Sequence, residues 1–344
     1  MTKLNRRNFT FGAGLGGAAS LLAAPAIAQS QKVLRLQSID PPSFVGPSVA
    51  LPNFAKAVEE MSGGELRVEV YTAGQVVPTS EIPAALAAGA IDLAYTGQVY
   101  YTGIVPENVL SYSALPPALI PQVNDGVQIY NYEGVDDIIA EAWVPEGVKA
   151  FKSLFLGDPI AFWSKEPINS VAELGGFKVR SFGYAAKTLE KLGASPVFMP
   201  HEEVYTALSQ GSIDGSMTAA SYYKRANYFE VAPYFYDSGW YEFVQMATLA
   251  SLNTWEGLSE AQQSILTYAM ASLGREMQQL TWLEYRQMLT EFDDMGATHI
   301  KWGPEDVAAI REAGASFLPE VREMSPKVNE GIDTLQGHVD KFYG

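Results

Sequence analysis

EIPAALAAGAID (residues 81–92) and EVYTALSQGSID (residues 203–214) are two copies of one pattern, E-[IV]-x-x-A-L-x-x-G-[AS]-I-D. In each, apolar residues at helical spacing lead to a glycine suited to the left-handed end of a helix, and Ile-Asp then opens a strand. The likeness extends backward. Before the first copy, residues 33–37 read as a strand, 54–61 as a helix and 66–71 as an alternating strand. Before the second, residues 177–181, 185–192 and 196–199 repeat strand, helix and strand. Two α/β segments can agree at a dozen positions by chance. Here the shared glycine and Ile-Asp stand at the same offset from a matching strand-helix-strand. Two β-α-β-α-β units predict an α/β protein of two lobes, each a mostly parallel sheet flanked by helices. Ligands of such sheets bind beyond the carboxyl ends of the strands, so two facing lobes form a cleft.

Beyond Trp255 the chain turns helical. Ser259 opens an amphipathic run past Met270, and residues 277–293 carry apolar and aromatic side chains at helical spacing. These long C-terminal helices either brace both lobes or pair with another subunit. The expected division is residues 29–155 with about 241–280 as the first lobe, 156–240 with part of the C-terminal region as the second, and 281–344 as a helical extension.

Residues 1–28 read as an export signal. Arg6 and Arg7 precede a Gly- and Ala-rich apolar stretch, and Ala26-Ile27-Ala28 forms an A-x-A cleavage site. The paired arginines fit a twin-arginine signal and equally the basic region of a Sec signal. Gly12, Gly14 and Gly17 satisfy GxGxxG, but no strand precedes them and they lie in the signal, so they mark no dinucleotide site. The mature chain is therefore expected in the periplasm. Cleavage removes Lys3, Arg6 and Arg7 and no acid, taking the net charge from −16 to −19, which makes nucleic acid a poor partner. The chain has no cysteine, which excludes disulfides and thiolate chemistry.

The segments GELRVEVYTAGQ (64–75) and AALAAGAIDLAYTG (84–97) resemble the amino-terminal lobe of TRAP transporter solute-binding proteins. GGFKVR (175–180) and EEVYTALSQGSIDG (202–215) are similar to that family's GLKIR and EVYTALQQGxxDG signatures. The similar segments run from about Val33 to about Met270. The resemblance implies two lobes joined by crossing strands and a long helix, closing on an organic acid that is then delivered to TRAP membrane permease subunits. It implies that Arg180 binds the substrate carboxylate. A guanidinium is physically suited to this, because its planar fork can make two parallel charge-assisted bonds in a crevice that excludes water. The bland alternative is an ion pair between Arg180 and a neighbouring acid.

Asp237-Ser-Gly-Trp-Tyr-Glu242 resembles the PGWxE segment of the 2-oxoacid binders within that family. This implies that Trp240 lines the pocket and that Glu242 helps hold a sodium or calcium ion beside the ligand. The chain departs from that subfamily where a Glu-Trp pair is replaced by Met217 and Thr218, and where Asp158 stands for a metal-proximal glutamine. Two carboxylates near a bound anion would repel it unless a metal ion, a proton or a ligand hydroxyl or amine lay between them. Their bland reading is solvated surface charge. Tyr95, Gln98 and Phe44, at or after predicted strand ends, complete the candidate ligand contacts; for any one aromatic, core packing is the commoner fate. A homodimer through the C-terminal helices is a further expectation from the resemblance.

His201, His299 and His338 form no HExxH or i, i+4 pair, and no GxSxG elbow is present. Binding without catalysis and without a required cofactor is the expectation. A periplasmic receptor that presents its ligand to a membrane sensor has the same sequence signature. An exported carboxylate-dependent enzyme is the remaining alternative.

Overall fold

The computed structural model describes residues 31–117, 119–199 and 201–343, without the side chains at 202, 238 and 239; the expected signal lies outside these residues. Twelve strands occur among them: β1 (Lys32–Ser38), β2 (Leu66–Tyr71), β3 (Leu93–Thr96), β4 (Val148–Ala150), β5 (Leu154–Leu156), β6 (Ile160–Ser164), β7 (Lys178–Arg180), β8 (Ser195–Val197), β9 (Gly215–Ala219), β10 (Tyr234–Tyr241), β11 (Val244–Ser251) and β12 (Thr298–His299). They form two sheets, one ordered β2-β1-β3-β11-β4 with β5 also on β11, the other β12-β10-β6-β9-β7-β8. The two sheets are the cores of two α/β lobes.

The repeat is a structural repeat. Gly89 (φ 69°) ends the helix region after Ile82–Ala87, and Gly211 (φ 72°) follows the helix His201–Gln210, both in the left-handed conformation that glycine adopts cheaply. The aspartates do the same work in both copies. Asp92 accepts from Arg35 N at 2.9 Å, and Asp214 accepts from Lys178 N at 2.9 Å, so each carboxylate ties its own repeat to the central strand. The strands of each repeat are parallel: β1 with β2 and β3, and β7 with β8 and β9. Antiparallel pairs arise where the chain changes lobes. β11 runs against β3, β4 and β5, and β6 runs against β9 and β10.

Two short passages therefore join the sheets, at residues 157–159 between β5 and β6 and at residues 242–243 between β10 and β11. The third connection is helical. The two predicted helical runs after Ser259 are one helix, Glu260–Met288, of 29 residues, opened by a capping box between Ser259 and Gln262. At about 1.5 Å per residue it is long enough to cover both lobes. It packs on the helix Leu51–Met61 and β5 of the first lobe and on the helix Ser221–Arg225 of the second. A Cβ on Gly157 would lie 2.2 Å from Gln278 O, so the first passage can be this close to the helix only with glycine. Beyond it, the helix Pro304–Ala315 rests on β10, and the helix Pro326–Tyr343 rests on the helices of the first lobe. No helix among the described residues is long and apolar enough to cross a membrane.

Candidate functional site

Arg180 is the last residue of β7 and is fully buried. Its Nε donates to Met199 O at 3.1 Å and its Nη1 to Met217 O at 2.8 Å, while Nη2 has no hydrogen-bond partner. The guanidinium carbon lies 5.3 Å from the Phe182 ring centroid. Among the described residues no carboxylate forms an ion pair with it. Two carbonyl dipoles offset only part of the cost of burying a cation, which is several kcal/mol for an unpaired ion, on the order of 3–5. The arrangement is one that an anion completes.

Beside it stands His201, buried, with Nε2 3.2 Å from the Tyr100 hydroxyl and Nδ1 unpartnered. Burial, with the charge of Arg180 adding to it, pushes His201 well below the usual imidazole range, so the ring is neutral at pH 7. His201, Thr218, Phe182 and Tyr222 from the second lobe meet Ile39, Gly97 and Tyr100 from the first around a cavity of about 30 Å³. Larger recesses of about 250, 380 and 560 Å³ lie along the long helix, and Lys224 and Arg225 at one of them are already paired with Glu291 and Glu284.

Behind the cavity the lobes are latched. The Tyr222 hydroxyl donates to Asp40 Oδ1 at 2.6 Å, and the Tyr222 ring centroid is 3.9 Å from that of Phe44. Asp158, on the passage between the sheets, accepts from Ser221 N at 2.8 Å, while its Oδ1 is unpartnered. The Tyr95 hydroxyl is buried and unpartnered, and a Cβ on Gly46 would meet Asp40 Oδ2 at 3.2 Å and the Tyr95 ring at 3.7 Å. Burial pushes both Asp40 and Asp158 up to about 6; the Tyr222 hydrogen bond opposes this at Asp40, and the Ser221 amide opposes it at Asp158. Burial first, and then these two carboxylates, push Tyr95 well up.

The structure thus places Thr218 in the cavity lining and Arg180 behind it, against the lining residue Phe182 and held by the Met217 carbonyl, and it places Tyr95, Asp158 and Phe44 in the latch. Gln98 is buried beside the cavity residue Gly97, with its Oε1 unpartnered. Trp240 is buried with its ring 6.3 Å from that of Trp302, outside the cavity lining. Glu242 is exposed on the second passage, and no described hydrogen bond or ion pair joins it to Asp158. Among the described residues no three His, Asp or Glu side chains are grouped to hold a metal ion. Asp40 and His201 were not singled out as ligand contacts by sequence reasoning. Asp40 follows β1 directly, at the carboxyl end of a strand, which is the position that signals it. His201 carries no local pattern at all.

A family model described as bacterial extracellular solute-binding protein, family 7, matches residues 48–324. The chain belongs to this family. The two signatures that pointed to TRAP solute-binding proteins both lie within the matched stretch. The monocarboxylate 2-oxoacid-binding periplasmic protein of Nostoc sp. (strain PCC 7120) is 27% identical over 230 residues, covering 66% of this chain and 62% of that protein, so the match spans about three fifths of that relative. A TRAP solute-binding protein from Pseudoalteromonas atlantica T6c, with bound sodium and pyruvate, superposes with a TM-score of 0.83 at 23% identity, over 90% of this chain and 94% of that one. One from Bordetella bronchiseptica RB50, a dimer with calcium and picolinate, gives 0.83 at 19% identity over 90% and 92%. At these identities the two structures establish the fold of this family 7 chain, two α/β lobes with long C-terminal helices.

Proposed function

We propose that this chain is the extracytoplasmic binding subunit of a TRAP transporter, capturing an organic acid in the cleft and delivering it to the membrane permease. The observation that carries the reading is Arg180, a buried cation with a free Nη2 and, among the described residues, no carboxylate partner. The open form admits the acid, its carboxylate takes the free donors of Arg180, and the lobes shut with Tyr222 bonding Asp40. The ligands of the three relatives, a 2-oxoacid, pyruvate and picolinate, are all carboxylates and support the same class. The sodium or calcium that accompanies the acid in two of them would meet two carboxylates here, Asp40 and Asp158, and no third acidic or histidine group among the described residues; the proposed mechanism needs no metal and no reaction. Export by the 1–28 signal and self-association through the C-terminal helices belong to the same proposal. The exposed Tyr268, Trp282 and Leu283 of the long helix are what a second copy would cover.

A thermal-shift screen of ligand-stripped protein against organic acids tests it, since a ligand bound only to the native state raises Tm with its affinity and concentration. A shift with one acid class that Arg180→Ala abolishes is the expected result. A folded protein that no carboxylate shifts would overturn the reading.

A further inference from the structure

We infer that the ligand of this cleft is a carboxylic acid that also carries a protonated amine, its carboxylate on Arg180 and its ammonium on Asp40, Asp158 and Tyr95. This rests on the proposed function and names the ligand class of the same site. The carboxylate pole alone leaves the latch unexplained. Asp40 and Asp158 are both fully buried, yet no lysine, arginine or histidine pairs with either among the described residues. Buried like charges without a cation are retained against a stability cost, which is the signature of a group waiting for a partner.

The free valences are acceptors, on groups close enough to feel one another's charge. Asp40 spends Oδ1 on the Tyr222 hydroxyl, and Asp158 spends Oδ2 on Ser221 N. Asp158 Oδ1 and the Tyr95 hydroxyl are left without partners. The hydroxyls of Ser221 and Thr281 lie close enough to Asp158 to oppose the rise of its carboxyl, but both are neutral and neither supplies a cation. Two carboxylates and a phenol supply three acceptors, matching the three N–H donors of a primary ammonium. A calcium ion takes six to eight oxygens, and the side chains present fall short of that. Arg180 gives the opposite chemistry at the other pole, with a free Nη2 to donate to a carboxylate.

Tyr222 links the two poles. Its hydroxyl is on Asp40, and its ring stands 5.3 Å from the His201 ring, which faces Arg180. The latch belongs to both lobes, with Asp40 and Tyr95 on the first and Tyr222 on the second, so opening the lobes gives the ammonium access before closure buries it. The raised carboxyls fit this as well, because a bound ammonium would hold both ionised at pH 7.

The test is calorimetric titration of the exported, ligand-stripped protein in sodium- and calcium-free buffer. The probes are alanine, 4-aminobutanoate and 6-aminohexanoate, each beside the acid of equal length without nitrogen and its 2-oxo analogue, and the series is then repeated with either metal added. At least one amino acid should bind tenfold or more tighter than both of its counterparts without metal. Asp158→Asn should bring it down to the affinity of its nitrogen-free counterpart, and Asp40→Asn serves the same purpose if the first variant does not fold. If the 2-oxo or plain acids bind best, with or without metal, the amine is overturned while the carboxylate function stands. If no acid binds at all, both readings fail together.

Discussion

The hydroxyl of Tyr222, on the helix that follows β9, donates a 2.6 Å hydrogen bond to Asp40 in the loop that follows β1, tying the second lobe to the first. The bond runs from one lobe to the other, so separating the lobes would break it. A hydrogen bond to a carboxylate contributes about 1.5–3 kcal/mol, so its loss acts on the open–closed equilibrium. Tyr222→Phe should shift the unliganded protein toward the open form, seen as a larger radius of gyration in small-angle scattering, and should weaken ligand binding about tenfold or more. A variant with unchanged scattering and affinity would leave the latch without a role.

Arg180 predicts a larger effect. Arg180→Ala should cost about 2–5 kcal/mol of binding free energy, the scale for truncating a desolvated charge partner. Arg180→Lys should recover little of it, because an ammonium cannot reproduce a fork whose Nε and Nη1 already hold the carbonyls of Met199 and Met217 while Nη2 stays free. Titration calorimetry of both variants against the best acid from the screen measures this directly.

The latch carboxylates predict the pH dependence of the ligand-free protein. Burial pushes Asp40 and Asp158 up to about 6 from an ordinary 3.8. A carboxyl raised in the folded state holds its proton more tightly there than in the unfolded chain. Its stabilising contribution is complete below about 3.8 and is lost as pH rises through about 6, on the order of 3 kcal/mol per group. The groups facing the pair are each other and the phenols of Tyr222, Tyr95 and Tyr285, all pushed above the usual tyrosine range, so none titrates in this window. Without ligand, Tm should be higher at pH 5 than at pH 7.5. Asp158→Asn should raise Tm at pH 7.5 and reduce the slope, without removing it, because Asp40 and Asp136, also pushed to about 6, remain. A lower Tm for this variant at pH 7.5 would show that the buried charge stabilises the fold.

Gly183 tests the packing of the second lobe's helix against the 111–117 loop. It has φ 52°, and a Cβ there would lie 3.0 Å from Ala114 Cα and Ala114 O, in the 111–117 loop that Tyr112 ties to β11. The neighbouring Tyr184 N donates to the same carbonyl at 3.0 Å. Gly183→Ala costs about 1–2 kcal/mol for the left-handed backbone, and its Cβ would also crowd Ala114, on a loop bonded to both β11 and β10. The expected result is a modest fall in Tm and a greater fall in ligand affinity than Tm alone accounts for, measured by paired thermal and calorimetric titrations.

The twofold repeat was legible in the sequence because helix ends and strand starts are local. Glycine at 89 and 211 and Asp at 92 and 214 do the same work in both copies, and each acts within reach of its own repeat. Arg180 was legible for a related reason, since a strand's carboxyl end in an α/β lobe faces the ligand side and its position follows from the strand itself. The antiparallel crossings, the single helix spanning 260–288 and the latch were decided by tertiary structure. Asp40 and Asp158 are 118 positions apart in the chain, and Tyr222 lies farther still along it, so no local pattern couples them. Only closure of the two lobes under the long helix brings these side chains together, and only the water excluded by that closure turns ordinary acids into a pair held near pKa 6. Local propensity could locate Glu242 and Trp240 near a lobe crossing, but the direction each side chain takes depends on which sheet claims its strand. Here that leaves one in solvent and the other against Trp302.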